Sequence, residues 1–334
     1  MKKIRIAILG IGRMGTVHLK NIINNPRCDL LYIYDINYKK RKNLSKKHNL
    51  KLVENIDDIF NDKNVDAIFI STPTNTHLKL ILKSIKYGKQ IFSEKPIDLD
   101  LKKINNLKKK CNSYNKTFQI GFNRRFDKSI SDLLTKVKNN KVGRVEKIII
   151  TSRDKSPPPT VKYLKESGGI LRDCTIHDID LLLNILQKDK VKEVFCYPSV
   201  LFDKRLKKIN DHDTIMSMFK TQKGKIAMIN NSRRSVYGYD QRIEVFGSKG
   251  MLMTKNINEN STSYYTKNST GAEKPHLNFF LERYERSFVD ELDNFISNCI
   301  NNKKASVSFE DCRKALEICE CLYLSAKTGK SVKL

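Results

Sequence analysis

No stretch of this 334-residue chain is apolar for long enough to span a bilayer, so a membrane protein is not expected. Met1-Lys2-Lys3 ahead of an apolar stretch has the outline of a signal peptide. Arg5 interrupts that stretch, Gly10 ends it early, and no cleavage-type segment follows. The closing Val332-Lys333-Leu334 falls short of a Ser-Lys-Leu peroxisomal signal, and the expectation is a cytoplasmic protein. The eight cysteines (Cys28, Cys111, Cys174, Cys196, Cys299, Cys312, Cys319 and Cys321) include no CxxC pair, so buried reduced thiols are expected and no metal site. Acidic residues are scarce: 36 against 64 basic ones, a net charge of +28. Such a charge attracts polyanions. The lysines are nevertheless spread over the whole chain among Asn and Ile, with no basic stripe interleaved with aromatics and no nucleic-acid motif. They read as solvated surface, and no specific nucleic-acid partner is expected. No internal repeat is present.

What is there is periodic. Residues 3–9 read as a buried strand, short, apolar and β-branched, and 30–34, 67–70, 90–92 and 117–120 read as further strands. Helical patterns lie between several of them: Val17, Leu19, Ile22 and Ile23; Leu78, Ile81, Leu82 and Ile85; Leu101, Ile104 and Leu107. Strands alternating with helices imply a doubly wound parallel sheet. After about residue 122 strand-like runs dominate, at 145–152, 191–197, 213–220, 225–231, 241–246 and 251–254. They predict an α+β domain around a large, mostly antiparallel sheet, with helices at about 173–187, 278–300 and 309–327. Residues 255–276, rich in Asn, Ser, Thr and Lys, read as a long surface loop. The expected division is 1–122 for the doubly wound (Rossmann) domain and 123–305 for the α+β domain. Residues 306–334 are expected to pack back towards the first domain.

Gly10-Ile11-Gly12-Arg13-Met14-Gly15 follows the first strand and opens a helix, and Asp35 ends the second strand twenty residues after Gly15. A lone GxGxxG says little; this context gives it meaning. Gly10 permits the tight turn, Gly12 lets a pyrophosphate approach the backbone, and Gly15 lets helix and strand pack closely. The helix start offers N–H donors and a positive dipole end to phosphates. Asp35 would accept hydrogen bonds from the adenosine ribose and repel a 2′-phosphate, favouring NAD over NADP, with Lys39, Lys40 and Arg41 opposing that preference.

Two further motifs carry a resemblance. Ser93-Glu94-Lys95-Pro96 lies just after a Rossmann strand, and Gly168-Gly169-Ile170-Leu171-Arg172-Asp173-Cys174-Thr175-Ile176-His177-Asp178 opens a helix in the second domain. With GIGRMG they resemble the glucose-fructose oxidoreductase/inositol dehydrogenase/rhizopine catabolism (Gfo/Idh/MocA) family over essentially the whole chain. Within it, Ser152–Pro159, Ser167-Gly168-Gly169 and Tyr237-Gly238-Tyr239-Asp240 look most like inositol 2-dehydrogenases. Independently of the resemblance, Asp173 and His177 are spaced i, i+4 and share one face of a helix, at its start, after two glycines.

The resemblance implies oxidation of myo-inositol to 2-keto-myo-inositol, with hydride passing to nicotinamide C4 of NAD. His177 would take the hydroxyl proton, Asp173 would orient it and stabilise its cation, and Lys95 would hydrogen-bond the reacting oxygen. Pro96 fixes the chain after Lys95, where a cis bond is one reading and a loop-shaping proline another. The loop Ser71-Thr72-Pro73 and Glu94 are expected beside the cofactor, with His77 nearby either in that role or as a helix-start residue without one. Arg125 matches a polyol-contacting arginine, a surface arginine being the alternative; Asp154 and Tyr239 are further hydroxyl partners. Phe288 stands where many inositol dehydrogenases carry tyrosine, which removes one hydroxyl unless Tyr284 one turn earlier replaces it. The resemblance also implies a homodimer or homotetramer, consistent with a second-domain sheet left open on one face. Three alternatives stay open: another inositol isomer, polyol or sugar as substrate; a non-catalytic dinucleotide-binding regulator; and nucleic-acid binding driven by charge.

Overall fold

The two sequence patterns are followed by two different sheets. The computed structural model describes residues 2–155 and 160–334, so Ser156 to Pro159 of the Ser152–Pro159 stretch lie outside the described residues. By internal contacts the chain forms two units: Met1–Asn123 with Phe288–Lys314, and Arg124–Ser287 with Ala315–Leu334.

The first unit begins β1 (Ile4–Leu9), α1 (Arg13–Asn24), β2 (Cys28–Tyr34), α2 (Tyr38–Lys47) and α3 (Ile56–Asn61). It continues β3 (Ala67–Ile70), α4 (Thr74–Lys86), β4 (Gln90–Glu94), α5 (Leu101–Asn112) and β5 (Phe118–Gly121). The five strands are parallel, in the order β2-β1-β3-β4-β5. Every residue of β3 and β5 is buried. Burial along whole strands, apolar throughout in β3 and with Gln119 enclosed in β5, is what a parallel sheet covered on both faces produces. Phe69 of β3 and Phe92 of β4 stack with ring centroids 3.9 Å apart, and Phe295 meets both edge-on at 5.8 Å. Ile6, Ile8, Leu292 and Ile296 share that core. Because β1, β3 and β4 are sheet neighbours, the loops at their carboxyl ends are neighbours too. These are GIGRMG, Ser71–Pro73 and Lys95-Pro96.

The second unit contains α6 (Lys128–Lys138), β6 (Val145–Arg153), α7 (Val161–Glu166), α8 (Ile176–Leu186), β7 (Val191–Ser199) and β8 (Thr214–Thr221). There follow β9 (Ile226–Ser232), β10 (Asp240–Gly247), β11 (Gly250–Thr254), β12 (Ser263–Thr266), β13 (Ser269–Glu273) and α9 (Phe280–Arg283). The chain ends with α10 (Glu285–Ile300), α11 (Phe309–Thr328) and β14 (Val332–Lys333). The large sheet has the order β11-β10-β6-β9-β8-β7-β14. It is antiparallel except where β6 runs parallel to β9. Along β8, Ile215, Ser217 and Phe219 are buried while Met216, Met218 and Lys220 are exposed, the alternation of a sheet with one open face. Register places Phe195, Met218, Met228 and Ile149 in one row across four strands of that open face.

Three sequence expectations meet a different outcome. Residues 255–276, expected as a loop, contain the ribbon β12–β13, whose residues are almost all exposed. With no buried face, the ribbon shows no apolar alternation to read. Residues 288–305, expected in the second domain, group with the first unit, since Leu292, Phe295 and Ile296 lie in its core. Residues 315–334, expected to return to the first, group with the second: Glu320 pairs with Arg172 at 2.6 Å, and β14 extends the sheet beside β7.

Candidate active site

In the first unit the glycine turn is shaped as its sequence requires. Gly10 has φ +85°, and a Cβ there would lie 2.7 Å from the Ser71 carbonyl oxygen. A Cβ on Gly15 would lie 2.0 Å from the Gly10 oxygen, whereas one on Gly12 would meet nothing within 4 Å. Gly12 is thus the position where the backbone stands open to an approaching group, at the start of the twelve-residue α1. Arg13 is exposed and Met14 half-buried on the first turn of that helix. The N–H of Ile11 donates to Asp35 Oδ2 at 2.7 Å, and that of Asn37 to Oδ1 at 2.9 Å, which fixes the carboxylate against the turn. Ser71 Oγ donates to the Gly10 carbonyl at 2.8 Å. Gly10, Ile11, Asp35 and Ser71 are therefore brought together around the turn. Of the three nearby cations, Lys40 donates to the Ile11 carbonyl, and Arg41 is turned inward under Tyr34 to meet Glu54 at 3.2 Å. Arg41 is thus buried rather than presented to a 2′-phosphate.

Lys95 and Pro96 are joined by a cis peptide bond. Glu94 is tied beneath them: its Oε1 lies 2.7 Å from His18 Nε2, and its Oε2 accepts from the Lys95 N–H at 3.3 Å. Gly121 makes room for it, since a Cβ there would stand 3.2 Å from Oε2. His18 is enclosed by Phe69, Phe92 and Phe288. The departure at Phe288 thus lies in an apolar cage around His18. The His18 bond, first among the favourable contacts after burial, holds Glu94 below the usual carboxylate range.

Glu291 on α10 is 1% exposed, and among the described residues neither of its carboxyl oxygens has a hydrogen-bond partner. Burial, with the Glu94 charge adding to it, pushes this carboxyl well up, so the folded protein keeps it protonated. An unfolded glutamate ionises near about 4.3, so between that pH and the raised folded value unfolding releases a proton. Stability then falls as pH rises, by up to about 1.4 kcal/mol per pH unit from this group. Glu291→Gln removes the titration. Its melting temperature relative to the parent should therefore climb by several degrees between pH 5 and pH 8 in thermal scans. An offset that stays constant with pH would contradict this.

In the second unit Gly168 and Gly169 have φ +84° and +76°, and a Cβ on Gly169 would clash with Asp211 Oδ1 at 2.6 Å. The next turn, Leu171–Thr175, is π-helical rather than α, and α8 begins only at Ile176. This corrects the expected single helix from Asp173. The wider turn is closed by Thr175 Oγ1, which donates to the Ile170 carbonyl five residues back at 3.2 Å. Asp173 lies in the π turn and His177 in the first turn of α8, both half-buried. Asp173 accepts from the Tyr163 hydroxyl at 3.2 Å and faces Arg233 Nη1 at 3.6 Å. Arg233 is 1% exposed, with Asp211 at 3.7 Å on its other side. Asp154 joins this cluster through the Cys174 thiol, which donates to it at 3.3 Å. Burial pushes the Asp154 carboxyl above its ordinary range, against the pull of Arg233 and Arg124.

Beside it lies a buried network around Asp178. Arg124 Nη1 donates to Asp178 at 2.6 Å and to Ser152 at 2.8 Å, and Asn231 donates to Asp178 at 2.7 Å. Tyr239 accepts from Arg124 at 3.3 Å, while the Tyr284 hydroxyl reaches Gln241 at 3.4 Å. Burial pushes the Tyr239 phenol well up, which keeps it a neutral hydroxyl. Arg125, the arginine singled out in the sequence, donates instead to Asp180, at 2.7 Å from Nε. Arg124, Arg233, Asp178 and Tyr163 were not singled out. Nothing distinguishes Arg233 in sequence among 64 basic residues, and Arg124 is the neighbour of the residue chosen.

Residues 4–122 match the model of the oxidoreductase family with an NAD-binding Rossmann fold, and residues 132–253 that of the GFO/IDH/MocA C-terminal domain. A myo-inositol 2-dehydrogenase of Thermotoga maritima is 38% identical over 99% of this chain and 98% of its own length. An inositol 2-dehydrogenase of Rhizobium meliloti is 36% identical, covering 99% of each chain. The crystal structure of a myo-inositol dehydrogenase from Corynebacterium glutamicum superposes with a TM-score of 0.93 at 37% identity, over 99% of both chains.

Proposed function

Since the chain belongs to the Gfo/Idh/MocA oxidoreductase family, with an NAD-binding Rossmann domain, we propose that it is an NAD-dependent inositol 2-dehydrogenase converting myo-inositol to 2-keto-myo-inositol. The observation that supports this reading is Asp173 in the π turn, bonded by the Tyr163 hydroxyl and facing Arg233, with His177 four residues on in the first turn of α8. Gly10, Ile11, Gly12, Arg13, Met14, Gly15, Asp35, Ser71, Thr72, Pro73, Glu94 and Lys95 form the cofactor side. NAD, when bound, supplies the hydride acceptor. His177 takes the hydroxyl proton as general base. Asp173, an anion flanked by the Arg233 cation, orients the imidazole and stabilises its protonated form. Lys95 donates a hydrogen bond to the reacting oxygen and offsets negative charge developing there. Arg125, Asp154 and Tyr239 complete the substrate side. No metal is required, because these groups supply the proton chemistry.

An inositol carries a hydroxyl on every ring carbon, and a site lined by fixed polar groups rejects analogues that leave those groups unpaired. Following NADH absorbance over a panel of polyols should show myo-inositol turned over more efficiently than glucose and far more than cyclohexanol. NAD+ should outperform NADP+, and Asp35→Ala should narrow that gap by removing charge repulsion. No inositol oxidation with either cofactor, alongside good turnover of another sugar, would overturn the reading. Phe288 favours that second possibility, because the hydroxyl found there in family members is missing and the ring lies against His18.

The open sheet face adds a reading of assembly. A row of Phe195, Met218, Met228 and Ile149 on one flat surface is costly in water, and pairing with a second copy removes it. Sedimentation at micromolar concentration should give a dimer or tetramer; an active monomer would refute this. Among the described residues no helix is long and apolar enough to cross a membrane. Six of the eight cysteines are buried, in keeping with a reducing cytoplasm as the working compartment.

A further inference from the structure

His77, in the first turn of α4, is 2% exposed, and both of its ring nitrogens face backbone carbonyl oxygens. Nε2 lies 2.7 Å from the Thr72 oxygen and Nδ1 2.8 Å from the Pro96 oxygen. A carbonyl oxygen can only accept, and a neutral imidazole has one N–H to give. We propose that His77 is a positioning residue that ties together the two loops of the cofactor cradle, and that it holds both only when its ring carries two N–H groups.

The connection runs through the parts that matter. Pro96 follows Lys95 directly, so the place of its carbonyl sets where the Lys95 side chain begins. Thr72 backs the glycine turn, its N and Cα each 2.7 Å from where a Cβ on Gly10 would stand. The path Lys95, Pro96, His77, Thr72, Gly10 therefore links the catalytic lysine to the pyrophosphate turn through one imidazole. Burial drives the ring towards its neutral form, below the ordinary histidine range. The two carbonyls and the Glu94 charge favour the cation, while Lys95 opposes it. At neutral pH one proton is thus divided between two acceptors, and the ring holds one loop at a time. Protonation on acidification closes the staple.

This inference rests on the NAD-site reading, and its test separates the two. The whole protein, labelled with 15N-histidine, is followed by NMR from pH 5 to pH 8 while NAD+ affinity is measured by calorimetry over the same range. His77→Gln identifies the ring among the six histidines. His77→Asn, too short to reach both loops, serves if the first variant folds poorly. The expected result is one exchange-protected ring N–H at pH 8 and two at the acid end. NAD+ binding should tighten about three- to tenfold on acidification, the worth of one net hydrogen bond, and both variants should lose that dependence. A ring with a single N–H at every pH, or an affinity that follows pH equally in parent and variants, would overturn the staple. A ring that gains its second N–H without NAD+ binding at any pH would support the staple and overturn the cofactor reading.

Discussion

His177→Ala should lower kcat by about two to four orders of magnitude, the usual effect of removing a general base. NAD+ binding should be unchanged, because the glycine turn and Asp35 belong to the other unit and their mutual hydrogen bonds do not involve His177. Truncation to alanine also leaves α8 intact, since alanine is the best helix former and the position lies in the helix's first turn. Stopped-flow and steady-state rates with myo-inositol check this. Near-normal turnover would remove His177 from the mechanism.

Lys95→Met should cost a similar factor through a different route. Methionine keeps the length and much of the volume of the lysine stem, so Pro96 and the Glu94–His18 pair beneath it keep their surroundings. What disappears is the cation that would face the reacting oxygen, and with it the charge stabilisation of the transition state. If Lys95 and His177 act on one oxygen, the double variant should be far less impaired than the product of the two single effects. Strict multiplication of the two losses would show that they act on separate steps. An unchanged melting temperature in Lys95→Met would show that the loss is chemical.

Much of this was legible in the residues themselves. Strands buried on both faces announce themselves as unbroken apolar runs, which is why Ala67–Ile70 is found where the pattern predicts it. The run at 213–220 likewise predicts a strand, found at Thr214–Thr221 with Met216 and Met218 outside. The glycine turn was legible because each glycine does a distinct steric job. The π turn at Leu171–Thr175 was not, since one extra residue in a turn leaves the i, i+4 spacing of Asp173 and His177 looking α-helical. Arg233 and Asp211 were hidden for another reason. They reach the Asp173 cluster from the residue just after β9 and from the loop before β8, and no local spacing records a contact between segments so far apart. Glu291 was equally hidden, because a glutamate on an amphipathic helix ordinarily faces water.

The first unit is built from two separated lengths of chain, and this sets the order in which it can be made. The Phe69–Phe92 stack leaves the ribosome early, but Leu292, Phe295 and Ile296, which close over the same core, are synthesised only after the entire 124–287 insertion. The nascent N-terminal sheet must therefore wait with part of its apolar surface uncovered, the condition in which partly folded chains aggregate or recruit chaperones. A ribosome stalled near residue 123 would carry a sheet without its lid, and vectorial, domain-by-domain folding is closed to this half of the protein.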